Sequence, residues 1–258
     1  MNKEVAVLVQ GEVSGKFIKE DDNFTFTTYA PGQDLCKLLN EKCVAYFCGK
    51  LGNDFLIDDL DSAYLSRGSE NTNIIIENQE ERLIYRQCII KEEDLNKDLV
   101  EKSKIYYLEA SLLYEDESYQ NLIRLVRQLQ DDQIFALNIN LYEEDFNESL
   151  AFKIKNLLLA CDIVFLKLEH LQWLMKIDEV AQGIHEMLSQ NRLSVICLLN
   201  DDSFEIHSDI YSLVSKSIYP YSSNKIIVNI LYDIYLNGID MDRQQWQSLI
   251  TNLENNYV

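Results

Sequence analysis

The sequence predicts an α/β fold: a doubly wound, mostly parallel central sheet with helices on both faces and a small β lid beside it. Three observations predict it. Apolar runs of strand length alternate with segments of helical period almost from end to end, and such strand–helix–strand alternation builds parallel, doubly wound sheets. Several runs are apolar on both faces, as strands covered by helices on each side must be. Two regions, 16–29 and 72–90, break the alternation with polar period-two patterns and no helix between their strands.

In chain order, the predicted strands of the main sheet are 5–10, 44–48, 105–108, 134–138, 163–166 and 194–199. The amphipathic helices between and after them are 34–41, 55–65, 119–129, 149–159, 179–189 and 242–253. In the first β region Phe24-Thr25-Phe26-Thr27-Thr28-Tyr29 alternates with period two. In the second, 73–77 and 82–88 flank a polar turn at 78–81. Both read as pieces of a small antiparallel sheet projecting from the main domain. No linker rich in Pro, Gly or Ser and no internal repeat interrupts the chain, so residues 1–258 read as one domain. In the last helix the spacing of Met241, Trp246, Leu249, Ile250 and Leu253 marks a docking face, and Trp173 lies on an apolar helix face.

Acidic residues outnumber Lys and Arg by 43 to 23, a net charge of −20. Such a surface repels phosphate backbones, which excludes nucleic acid unless the basic residues cluster, and it would welcome a basic protein partner. The six cysteines, at 36, 43, 48, 88, 161 and 197, form no C-x-x-C pair and lie mostly in apolar patterns. They read as buried free thiols of a reducing cytoplasm. His170, His185 and His207 are too scattered for a zinc site. No uncharged apolar run of about 18 residues predicts a membrane span, and the start of the chain has no signal-peptide pattern.

Residues 44–54 read V-A-Y-F-C-G-K-L-G-N-D. This resembles the strand and loop of ribokinase-like (phosphofructokinase-B type) carbohydrate kinases, where an apolar strand ends in G-x-x-G-[DN]-D. Gly11-Glu12 closes the first strand as in many of these enzymes, and Pro31-Gly32 stands where the family carries a Gly-Gly opening onto the sugar. Gln79-Glu80-Glu81-Arg82 is similar to the "d-G-e-R" lid hairpin, and K-I-Y-Y-L-E-A-S-L at 104–112 to the strand ending in G-G-x-S-L. Residues 135–140 match the "f-D-x-N" strand, 157–174 the helix–strand–helix with N-x-x-E, and 224–238 the helix after G-A-G-D. The resemblance runs over about residues 4–240. It implies a sheet with a β lid over a sugar site, and transfer of the γ-phosphoryl of ATP to a sugar hydroxyl.

The chain departs from the pattern where that chemistry would sit. Phosphoryl transfer needs a base at the attacking hydroxyl and donors for the charge on the moving group. The G-A-G-D turn is Ser222-Ser223-Asn224-Lys225 here, so an ammonium, Lys225, replaces the proton-accepting carboxylate. Residues 222–225 remain a candidate anion site at a helix start, or a solvated, capped helix start. The N-x-x-E motif of magnesium and phosphate becomes Lys167-Leu168-Glu169-His170. The early sugar-binding Asp falls at Lys16, or at Ser14 or Gly15 if the register slips. The candidate residual pocket is Gly32, Asp34, Asn53 and Asn140, with Asp34 otherwise a helix cap. On the nucleotide side, strand 195–199 runs into Asn200-Asp201-Asp202-Ser203, whose carboxylates repel phosphate.

Together these changes imply a catalytically impaired member acting as a binding or regulatory subunit, with no cofactor, and a protein partner or second copy on the lid sheet. The alternative is a divergent kinase for a sugar or nucleoside that uses ATP and Mg, with Asp209, Asp201 or Glu205 as substitute base. A third reading is a non-catalytic small-molecule sensor.

Overall fold

A computed structural model describes residues 5–20, 23–53, 65–77, 82–200, 203–215 and 223–256. In chain order the strands and helices are β1 (Val5–Gln10), β2 (Ser14–Glu20), β3 (Asn23–Tyr29), α1 (Pro31–Leu39), β4 (Ala45–Leu51), β5 (Leu65–Arg67), β6 (Asn73–Glu77) and β7 (Arg82–Tyr85). There follow α2 (Lys97–Lys102), β8 (Ser103–Glu109), α3 (Asp116–Val126), β9 (Ile134–Ile139), α4 (Glu148–Leu158), β10 (Ile163–Leu166), α5 (Leu168–Met175) and α6 (Val180–Gln190). The chain closes with β11 (Val195–Leu199), β12 (Phe204–His207), β13 (Ser212–Val214), α7 (Ser223–Asn237) and α8 (Arg243–Asn256).

The main sheet has the order β13-β12-β11-β10-β9-β8-β1-β4-β5. Neighbours from β11 to β5 are parallel, and β12 and β13 add an antiparallel edge. The both-face apolar runs divide their side chains as a pleat requires. Val7, Val9, Tyr107, Phe165 and Cys197 join α1, α7 and α8 in one core, with Trp246, Leu249 and Leu253 inside it. Leu8, Tyr106, Leu108, Val164 and Leu198 join the residues of α2 to α6 in the other. The apolar stripe of α8 is thus spent on the sheet, and Trp173 stacks on Phe146 at 4.5 Å between ring centres.

The lid is a separate sheet of order β3-β2-β6-β7. Its outer pairs are antiparallel as expected, but β2 and β6 pair in parallel, so the sheet is mixed. Parallel neighbours need a long connection, and here β3 of the lid and then α1, β4 and β5 of the main domain come between β2 and β6 in the chain. Residue 65, expected at the end of a helix, opens β5 instead; the remainder of that expected helix, and the turn at 78–81, lie outside the described residues.

Gly52 shows why the G-K-L-G-N-D loop needs its second glycine. A Cβ there would lie 2.0 Å from the backbone nitrogen of Thr72, so only Gly lets the two backbones pass. Its N–H donates to Thr72 Oγ1 at 3.0 Å, and Asn53 N–H to Glu70 O at 2.8 Å.

Candidate functional site

In open parallel sheets ligands bind beyond the carboxyl ends of the strands where the order reverses. Here β1 and β8 are neighbours at that point, with β4 continuing the sheet on one side and β9 on the other. Gly11 and Glu12 follow β1, and Glu109 ends β8. The Glu109 side chain is 5% exposed, and its Oε2 accepts the Glu12 N–H at 2.9 Å. A Cβ on Gly11 would lie 2.6 Å from Glu109 Oε2, and one on Gly32 would lie 3.2 Å from its Oε1. The two glycines therefore make room for this carboxylate. Burial raises its pKa, the Glu12 N–H opposes that, and the charges of Glu12 and Asp34 add to it; the carboxyl is pushed up to about 8.

Glu12 is held in turn. Its Oε1 accepts from Ser14 Oγ at 2.6 Å and from Asn73 Nδ2 at 3.1 Å, which ties the first lid strands to the sheet. Arg86, after β7, lies 4.0 Å from Glu12 Oε2 and grips Asp145 with two parallel bonds of 2.5 and 3.0 Å. Both terminal nitrogens of the guanidinium are thus engaged by Asp145, while its buried Nε has no hydrogen-bond partner. Tyr29 and Tyr142 wall the lid side, with Arg82 3.9 Å above the Tyr142 ring. What remains between Glu12, Glu109, Arg86, Asn140 and the two tyrosines is a cavity of about 10 Å³, room for roughly one water molecule.

The sequence-predicted residues separate on this geometry. Gly32 and Asn140 come together at the cleft, Gly32 beneath Glu109 and Asn140 on its wall. Asp34 does not cap α1, which starts at Pro31 after Ala30; its side chain is 67% exposed and meets Lys37 at 3.5 Å. Asn53 is exposed and held by Glu70 O, and it is not among the described residues lining the cleft. Lys16 is 2.6 Å from Glu77 in the lid.

At 167–170 the geometry fits a structural role. Lys167 N–H donates to His170 Nδ1 at 3.1 Å, closing the first turn of α5. With Nδ1 accepting, Nε2 carries the hydrogen and meets Leu141 O at 3.2 Å. Burial of the ring, against the Leu141 hydrogen bond and with the Lys167 charge, lowers its pKa to about 4. Both ring nitrogens are used inside the protein, so this segment does not fit a magnesium ion. Among the described residues no group of three or more His, Cys, Asp or Glu side chains could hold a metal.

Ser223, Asn224 and Lys225 form the first turn of α7, with Ser223 and Lys225 exposed and no acidic residue in that turn. A cation there faces the positive end of the helix dipole. Ser222, Asp201 and Asp202 lie outside the described residues. Glu205 and Asp209, named as substitute bases, line a different cavity against α6. All six cysteines are free thiols, and no described helix is long and apolar enough to cross a membrane.

Sequence reasoning gives Glu109 no role, although Leu108-Glu109 stands where the resembling family carries Gly-Gly. That substitution is the signal for it. Glu12, Arg86, Asp145 and Tyr142 carry no comparable local signal, because their partners lie far away in sequence.

No family model matches the sequence, and no curated protein matches it. Solved structures do. A fructokinase with bound ATP from Xylella fastidiosa superposes with a TM-score of 0.80 at 14% identity, over 96% of this chain and 89% of that one. An uncharacterized sugar kinase from Pyrococcus horikoshii gives 0.75 at 17%, over 92% and 86%. Aminoimidazole riboside kinase from Salmonella enterica, complexed with its riboside and an ATP analogue, gives 0.75 at 11%, over 96% and 91%. The chain has the ribokinase-like α/β fold of these sugar and nucleoside kinases.

Proposed function

We propose that this chain is a ribokinase-like protein that does not transfer phosphate and works as a binding or regulatory subunit. The observation that carries this reading is Glu109. Its carboxylate fills the cradle between Gly11 and Gly32, the second of which stands where the family opens onto the sugar, and leaves about 10 Å³. A hexose or riboside needs a pocket of hundreds of cubic ångströms. Lys225 supports the same reading: an exposed ammonium donates protons and does not take one from an alcohol near neutral pH.

The lid sheet supplies the docking surface in this reading. Phe26 on β3 and Leu83 and Tyr85 on β7 are exposed, on the two edge strands of that sheet. Apolar side chains beside open strand edges favour pairing with another chain. Leu83→Asp is expected to shift the sedimentation coefficient of any complex toward that of the single chain, and no change would argue against this surface.

A divergent kinase is the second reading, favoured by the fold's similarity to enzymes whose structures hold ATP or an analogue of it. A coupled ADP-release assay with Mg-ATP over a panel of sugars and nucleosides separates the two. We expect no acceptor-dependent turnover. Turnover that is lost on replacing one carboxylate would establish the kinase.

A further inference from the structure

A cavity of about 600 Å³ lies between α6 and the β12–β13 hairpin. It is remote from the Glu109 cleft. β12 runs antiparallel to β11, with Phe204 opposite Leu199 and His207 opposite Ile196. The hairpin turn thus hangs at the amino-terminal edge of the parallel strands, while Glu12 and Glu109 lie at the carboxyl edge.

Its floor is a polar row built by strand geometry. Glu205 and His207 are two apart on β12, and Ser212 is the cross-strand partner of His207, so all three share one face. Ser212 Oγ lies 2.8 Å from His207 Nδ1, and His207 Nε2 lies 2.9 Å from Glu205 Oε2. The direction of this chain follows from its end. A carboxylate only accepts, so Nε2 donates to Glu205, and in the tautomer with its one hydrogen on Nε2 the Nδ1 accepts the Ser212 O–H. Ser212 Oγ then turns lone pairs to the cavity. Asp209 adds a second carboxylate, and no Lys or Arg is among the described lining residues. Ile184 and Leu188 of α6 and the ring of Tyr211 form the apolar part of the wall.

We propose that this cavity is a binding site for a small organic cation: an ammonium head that donates to Ser212 Oγ and the Glu205 and Asp209 carboxylates, on an apolar body that packs on Ile184 and Leu188. The floor offers acceptors and two carboxylates, with His185 of α6 the other imidazole of the lining, so it favours donors over anions. Its volume is that of a small-molecule pocket.

The probes are benzylamine, benzyl alcohol and benzoate, followed by ligand-observed NMR and calorimetry on the full chain. Benzylamine should bind saturably, benzyl alcohol more weakly and benzoate not at all. Glu205→Gln, which keeps size and removes charge, should weaken benzylamine at least about tenfold. Leu188→Trp, which fills the wall, should abolish it, and melting curves confirm that both variants fold. Absence of saturable benzylamine binding to the native chain, binding of benzoate at equal strength, or native affinity in either folded variant would overturn the assignment.

Discussion

Glu109→Gln is expected to remove a loss of stability that the native chain suffers as pH rises toward 8. The native carboxyl is held up at about 8, chiefly by burial, from an ordinary value of 4.5. Between those values the unfolded chain gives up a proton that the folded chain keeps. Stability from this group is therefore complete below pH 4.5 and falls by about 1.4 kcal/mol per pH unit until it levels off above 8. The full change is about 5 kcal/mol by the same linkage.

His170 acts with the opposite sign, because its folded pKa is depressed to about 4 from 6.5. Its contribution is present above pH 6.5 and is lost as pH falls toward 4. The two slopes oppose each other between 4.5 and 6.5, so the Glu109 decline emerges undisguised only from 6.5 to 8. Gln keeps an acceptor for the Glu12 N–H and carries no charge. The measurement is urea unfolding of both proteins from pH 5 to 9. Curves that stay parallel would mean that Glu109 ionises in the cleft without penalty, and the closed-cleft reading would lose its support. The same side chain has a functional consequence. The buried carboxyl fills the cleft, so any ligand admitted there should bind better after Glu109→Gly.

The strands of the main sheet were legible because both-face apolar runs have few other uses. Val5–Gln10 and Ile163–Leu166 were read to the residue. Two helices start three residues earlier than the sequence predicts, α3 at Asp116 and α1 at Pro31, where polar first turns carry no apolar period. The β12–β13 hairpin was missed because its strands are only four and three residues long, with polar side chains facing the cavity. At the site the legible part was local. Gly32, Asn140 and Lys225 stand at positions that motif spacing picks out. The closure of the cleft was not legible, because Glu12 and Glu109 are 97 residues apart and Arg86 and Asp145 are 59 apart. No window along the chain shows those pairs; only the parallel register of β1 with β8 creates the first.

Lys50→Met is expected to cost about 3–5 kcal/mol, the usual loss when one partner of a buried ion pair is removed. A lysine in a glycine-bearing loop invites the idea of a phosphate grip. This one is 2% exposed and its ammonium is engaged inside the protein. It donates to Ile89 O and to Asp94 Oδ2, each at 2.7 Å, and lies 3.5 Å from Glu70 Oε2. Glu70 keeps a second partner in Lys91 at 3.1 Å, whereas Asp94, 7% exposed, has no other cation this close among the described ion pairs. Removing the ammonium strands Asp94 and frees the Ile89 carbonyl. Because Lys50 joins β4 to the segments just before β6 and just after β7, the loss should also loosen the lid where it enters and leaves the main sheet. Hydrogen exchange in β6 and β7 is expected to speed up in Lys50→Met more than exchange in β9 or β10. Lys50→Met with Asp94→Leu should recover much of the stability, since a matched apolar pair costs less to bury than a lone charge. A single variant as stable as the native chain would show that the ammonium is solvated after all and that the ion pair does not hold the lid to the main sheet.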